Sequence, residues 1–228
     1  AKEAASAMLP AFTREETEDF LIELRYLGIE NVLAIKGDAS NYEKPIHHGR
    51  SQNRRAGDLV RQIVDMNRGK YLDDAADASP TNFSVGIAGY PEKHFESPNL
   101  ETDVRHTLAK VEAGAEYIVT QMFFRNAHYH RYVELCRAAG ITVPIIPGIK
   151  ILTSKEQLTT IPRAFHCEIP RELSDEIERA QPEEVVHIGV EWALAQTREL
   201  LQRGVPSVHF YVMQSARAIN ELLGQLAL

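Results

Sequence analysis

Short apolar runs alternate with amphipathic helical stretches along this chain, and that alternation restricts the fold more than any other feature. Residues 31–38 (NVLAIKGD), 82–90 (NFSVGIAGY), 117–124 (YIVTQMFF), 144–150 (PIIPGIK) and 207–213 (SVHFYVM) are rich in β-branched or aromatic residues. They are too continuous for strands with one wet face. The helices between them have legible ends. Thr13 and Glu16 form a T-x-x-E capping box ahead of Phe20, Leu21, Leu24 and Leu27 at helical spacing. Asn126 is placed to cap a helix closing at Gly140, and Ser154 to cap one reaching Ile161. Pro182 suits the first turn of a helix running to about Arg203, with Gly204 as its stop. Strand-helix-strand repetition of this regularity predicts a parallel α/β sheet.

Neither G-x-G-x-x-G nor G-x-x-x-x-G-K-[ST] occurs in the sequence, which removes the usual phosphate fingerprints of doubly wound folds. Polar residues gather instead where the strand runs end: Lys36-Gly37-Asp38, Tyr90, Gln121, Lys150 and Gln214. In a (β/α)8 barrel that rim carries the chemistry. Five strands are visible, whereas a closed barrel needs eight, and residues 1–11 (AKEAASAMLPA) are too few to hold three more. Residues 1–228 read as a single α/β domain with about five β/α units, and the pattern leaves an open sheet and an incomplete (β/α)8 TIM-barrel type both standing.

Composition narrows the function. Lys and Arg number 25 against 32 Asp and Glu, a net charge of −7, which argues against nucleic acid as a partner. No apolar run approaches the roughly 18–20 residues of a membrane span. Two cysteines, Cys136 and Cys167, cannot build a disulfide framework or a four-Cys zinc site. His47-His48 lacks a third ligand nearby, so no metal site is expected. The start of the chain lacks an apolar signal region, and a cytoplasmic setting is the expectation.

Four blocks then stand in a telling order: IENVLAIKGD, GYPEKH with Asp103 and AKVEAGAEYIVTQMFF, VPIIPGIKILTSKEQL, and GVPSVHFYVM. In order and spacing they resemble the methylenetetrahydrofolate reductase family from Thr13 to Leu223. The resemblance implies a flavin-binding (β/α)8 barrel that reduces 5,10-methylenetetrahydrofolate to 5-methyltetrahydrofolate with FAD as cofactor and NAD(P)H as co-substrate. It also implies that the chain is N-terminally incomplete relative to the family, whose first strand carries an F-E-F-F-P-P motif with the general-acid glutamate; that motif has no counterpart here.

Carried over residue by residue, the family pattern assigns flavin contacts to Lys36, Gly37, Asp38, Ala56, Tyr90, His94, Asp103, His106, Ala109 and Lys110. The chemistry is consistent. Gly37 admits close backbone approach, Tyr90 offers a flat face and a hydroxyl, Asp103 can accept from ribose hydroxyls, and His94 and Lys110 suit a pyrophosphate. Asp103, His106 and Lys110 recur at i, i+3 and i+7 of one helix. Asp38 is implied as the catalytic carboxylate between flavin and folate. Folate contacts fall to Asp38, Gln121, Gln157 and Ser215, an amide being suited to the mixed donor and acceptor edge of a pterin. Ser215 stands where the family usually has Arg, and Ile161 where some members have Phe. Copies of the chain are expected to associate. A truncated, non-catalytic flavin- or folate-binding or assembly module is the alternative to an enzyme.

Overall fold

The structure, a computed structural model, describes residues 4–8 through their backbone and residues 12–35, 51–73, 78–212 and 216–226 with their side chains. The chain divides into two compact units, residues 1–88 with 106–118 and residues 89–105 with 119–228.

In the first unit lie β1 (Ala4–Met8), β2 (Asn31–Ile35) and most of β3 (Ser84–Gly89), side by side in that order. All are parallel: Ala4 faces Asn31 and Met8 faces Ile35, while Asn31 faces Ser84 and Ala34 faces Ile87. Helix α1 (Arg14–Tyr26) starts where the sequence predicts. Glu16 N–H donates to Thr13 Oγ1 at 3.2 Å and Thr13 N–H donates to Glu16 Oε2 at 2.9 Å, so the capping box is closed. A cap of this kind stabilises by about 1 kcal/mol. Leu21 and Leu24 are buried, and Gly28, at φ 73°, ends the helix in the left-handed region. Helix α2 (Ala56–Asn67) buries Leu59, Val60, Ile63 and Met66.

The second unit holds β5 (Ile145–Ile149), β6 (His209–Phe210) and most of β4 (Tyr117–Met122), in the order β4-β5-β6. Gly148 faces His209 and Ile149 faces Phe210 in parallel register. Helices α4 (Asn126–Ala138), α5 (Gln157–Phe165), α6 (Arg171–Arg179), α7 (Val185–Gln202) and α8 (Arg217–Leu226) complete it. Its core joins Met122, Phe124, Leu152, Ile161, Cys167, Leu173, Ile177 and Val185. Helix α3 (Leu100–Glu112) contributes residues to both units.

The α/β barrel-type fold with parallel strands is as expected, with four local corrections. Residues 4–8 form a sixth strand, although AASAM lacks the β-branched residues that announce one. β6 has two paired residues where a seven-residue run was expected. Asn126 is the first helical residue and not the cap, because its amide is drawn to α7, donating to Gln196 O at 3.0 Å and bonding Glu199. Ser154 hydrogen-bonds the Glu156 carboxylate, and Glu156 occupies the cap of α5.

Candidate functional site

In the first unit, Lys110 lies on α3 with its stem over the start of α2. A Cβ on Gly57 would stand 3.7 Å from Lys110 Cγ, an ordinary contact. The ammonium reaches the end of β3, where Nζ donates to Ala88 O at 3.0 Å. Ala56 opens α2 and is half-buried, while His106 and Ala109 are exposed on α3. A lysine with a packed stem and a head at a strand end presents a fixed cation beside small residues.

In the second unit, the turn after β3 is built from rings. His94 meets Tyr90 edge-on with centroids 4.6 Å apart, Phe95 lies 4.7 Å from His94, and His166 stacks on Phe95 at 4.9 Å. Asp103 holds this turn in place: it is buried, Oδ2 accepts His94 N–H at 3.1 Å, and Oδ1 accepts the Ser97 hydroxyl at 3.0 Å. Glu92 ties the same turn to residue 168, accepting Glu168 N–H at 2.7 Å, with His128 Nδ1 3.6 Å from its other oxygen. Burial pushes the Glu92 carboxyl above its ordinary value of 4.5, more than the Glu168 N–H and His128 pull it down. Next to it Cys167 is buried and its thiol is pushed up to about 12 by burial and by the Glu92 carboxylate. That thiol stays protonated, so His166-Cys167 is not a nucleophile pair. Cys136 is wholly buried on α4.

A cavity of about 380 Å³ lies in the second unit where β5 and β6 end, a volume in the range of small-molecule sites. Lys150, Gln157, Phe210, Tyr211, Arg217 and Ile149 are among its walls. Gln157 Oε1 accepts Thr153 N–H at 2.6 Å, which turns the amide nitrogen into the group able to donate to a ligand. Gln121 folds back on its own strand, its Oε1 accepting Met122 N–H at 2.9 Å. Tyr211 is fixed at three points: N–H to Ile149 O at 2.9 Å, hydroxyl to Thr120 O at 2.8 Å, and its carbonyl accepting Lys150 Nζ at 3.2 Å. Burial pushes the Tyr211 hydroxyl up to about 12, so it remains a donor at neutral pH. Ile161 is buried in the core of this unit.

The structure thus brings Tyr90 and His94 together in one turn held by Asp103 of α3, and places Gln157 with Lys150 in one cavity. Lys36, Gly37, Asp38 and Ser215 lie outside the described residues, as do Gln214 and the His47-His48 pair. Sequence reasoning gave no role to Glu92, Tyr211 or Arg217. Lys150 was visible in the sequence only as a polar residue ending an apolar run. Among the described residues no three His, Cys, Asp or Glu side chains gather as metal ligands, and no helix is long and apolar enough to cross a membrane.

Comparison with known proteins agrees with the resemblance in the sequence. A methylenetetrahydrofolate reductase family model matches residues 10–227. A probable methylenetetrahydrofolate reductase (NADPH) of Caenorhabditis elegans is 32% identical over 95% of this chain and 31% of its own length. A methylenetetrahydrofolate reductase (NADH) of Arabidopsis thaliana is 30% identical over 94% of this chain and 36% of its own. The 5,10-methylenetetrahydrofolate reductase of Pectobacterium carotovorum is 26% identical over 93% and 66%. The chain therefore spans about a third of the length of the first two relatives. Among solved structures, an uncharacterized Clostridium thermocellum protein that binds two copies of 5-methyl-5,6,7,8-tetrahydrofolic acid superposes with a TM-score of 0.51 at 13% identity, covering 97% of this chain and 92% of that one. That likeness is one of fold. With a family model matching nearly every residue from one end to the other, the chain belongs to the methylenetetrahydrofolate reductase family.

Proposed function

We propose that this chain works in the flavin-dependent reduction of 5,10-methylenetetrahydrofolate to 5-methyltetrahydrofolate with NAD(P)H. The observation that carries this reading is the cavity at the ends of β5 and β6, where Gln157 offers an amide beside an aromatic edge in a chain of this family. Gln157 would orient the pterin by donating from its amide nitrogen, with Gln121 as a second amide at the end of β4. Asp38 would supply the carboxylate that favours positive charge on the folate.

By resemblance, flavin contacts fall in each unit: in the first, Lys110 suits a phosphate oxygen and Ala56 and Ala109 leave room for close approach; in the second, His94 suits a phosphate oxygen and Tyr90 presents a ring and a hydroxyl. Asp103 would act first by holding the turn that carries His94, since both its oxygens already accept from that turn. When bound, FAD supplies hydride transfer between nicotinamide and folate. Lys36, Gly37 and His106 complete the flavin set, and Ser215 the folate set, by resemblance.

The test is anaerobic stopped-flow spectroscopy on the purified chain. Retained flavin bleached by NAD(P)H is the expected result, with reoxidation by methylenetetrahydrofolate severely impaired because the family's general-acid glutamate has no counterpart in this sequence. A chain that binds neither flavin nor folate would overturn the reading. Because the chain spans about a third of its eukaryotic relatives, binding without turnover has its own support, and that result would select the module reading.

A further inference from the structure

Helix α1 packs one face and leaves its neighbour in the open. Thr17, Leu21 and Leu24 are buried, whereas Glu18, Ile22, Arg25 and Tyr26 follow an adjacent stripe at i, i+4, i+7 and i+8. That stripe is one wall of a cavity of about 670 Å³ in the first unit, and Tyr71 and Asp73, beyond the end of α2, belong to the other. Hydrogen bonds hold the walls in place. Glu18 Oε2 accepts Leu72 N–H at 3.0 Å, Tyr71 donates its hydroxyl to Ser79 O at 2.8 Å, and Arg25 donates from Nη1 to the carbonyls of Ser79 and Pro80. Charges of both signs stand on these walls without meeting. Among the described residues Arg25 bonds to backbone carbonyls and not to Glu18 or Asp73, and the donors on Nε and Nη2 remain for a carboxylate. Burial, with Asp19 and Asp73 adding to it, pushes the Glu18 carboxyl above its ordinary value of 4.5, more than the Leu72 N–H and Arg14 pull it down. Beside the cavity stands a knob: Tyr26 is 90% exposed and Leu27 73%.

A knob and a hollow on one face, with both signs of charge between them, complement a second copy of the same face turned by a two-fold axis. In such a contact residue i meets residue j, and residue j meets residue i. A partner carrying one sign would satisfy one set of charges and leave the other buried and unpaired. Burial of the exposed tyrosine and leucine supplies the apolar drive. We propose that this face of α1 is the interface between two copies of the chain, Tyr26 and Leu27 of each entering the cavity of the other, with Arg25 of each against Asp73 of the other. None of these residues is among those assigned to flavin or folate, so the interface stands or falls independently of the folate reading.

The experiment is sedimentation equilibrium of the 228-residue chain over a concentration series, in wild type, Tyr26→Asp, Arg25→Glu, Asp73→Arg and an equimolar mixture of the last two. Either charge reversal alone sets like charges against each other across the axis, whereas the mixture restores opposite signs at both pairs. Wild type is expected to reach twice 25.6 kDa, and each single variant to need a concentration roughly tenfold or more higher to do so. The mixture is expected to return to the wild-type concentration. Association that neither reversal nor Tyr26→Asp weakens, or a mixture that associates no better than its components, would overturn the interface. A wild type of 25.6 kDa at every concentration would also overturn it and leave the cavity to another occupant. Tyr26 is exposed almost in full, so its variant keeps the test decisive should Arg25→Glu loosen the segment that Arg25 holds.

Discussion

Glu92 holds its turn by accepting the Glu168 N–H, and it does so where its charge is poorly solvated. Its raised pKa means that the folded protein binds the proton more tightly than the unfolded chain. Stability associated with neutral Glu92 is thus present at acid pH and declines as pH rises above the ordinary carboxyl value of 4.5. Glu92→Gln keeps an oxygen for the Glu168 N–H and removes the charge. The variant should melt above wild type at neutral pH, and the two melting curves should converge near pH 4; a gap that widens toward acid would show that the carboxylate is favourable as an anion. The neighbouring Cys167 and the α4 residue Cys136, whose thiols are pushed up to about 12 and about 11, belong to packing in the same sense: burial keeps them neutral.

At the scale of elements, α7 is the most exacting contact. A Cβ on Gly189 would sit 1.9 Å from the carbonyl oxygen of Leu152, a backbone atom that cannot swing aside. Gly189→Ala is expected to destabilise by about 1–3 kcal/mol or more through forced separation of α7 from that segment. Chemical denaturation measures this directly, and an unchanged midpoint would mean the helix shifts freely. Little of this closeness is legible in the sequence, where EVVHIGVEWALAQ reads as an ordinary helix with one glycine. What could be read was governed by local chemistry. The Thr13–Glu16 box and the runs that became β2 to β5 carry their signal within a few residues. β1 was missed because Ala and Ser carry weak strand preference, and α6 because RELSDEIER offers only Leu173 and Ile177 as an apolar stripe. The cavity followed the same rule. Lys150 and Gln157 were visible as polar residues after an apolar strand, whereas the Tyr211 hydroxyl finds Thr120 across 91 positions, a pairing no local pattern announces.

For the whole molecule, a net charge of −7 coexists with large apolar side chains that remain in water. Tyr26 is 90% exposed and its neighbour Leu27 73%, at the end of α1 in the first unit. Association of copies is expected to shield such surface, and sedimentation velocity at micromolar concentration would detect it; a lone species of 25.6 kDa throughout would count against it. The second unit is braced differently. Tyr211 is tied by its N–H to β5, by its hydroxyl to β4 and by its carbonyl to Lys150, so one residue triangulates one wall of the cavity. A triangulated frame does not flex along any one of its sides. The cavity should accordingly choose ligands the way a gauge chooses bolts, by fixed aperture, admitting a ring system of one breadth and refusing one a methyl group wider.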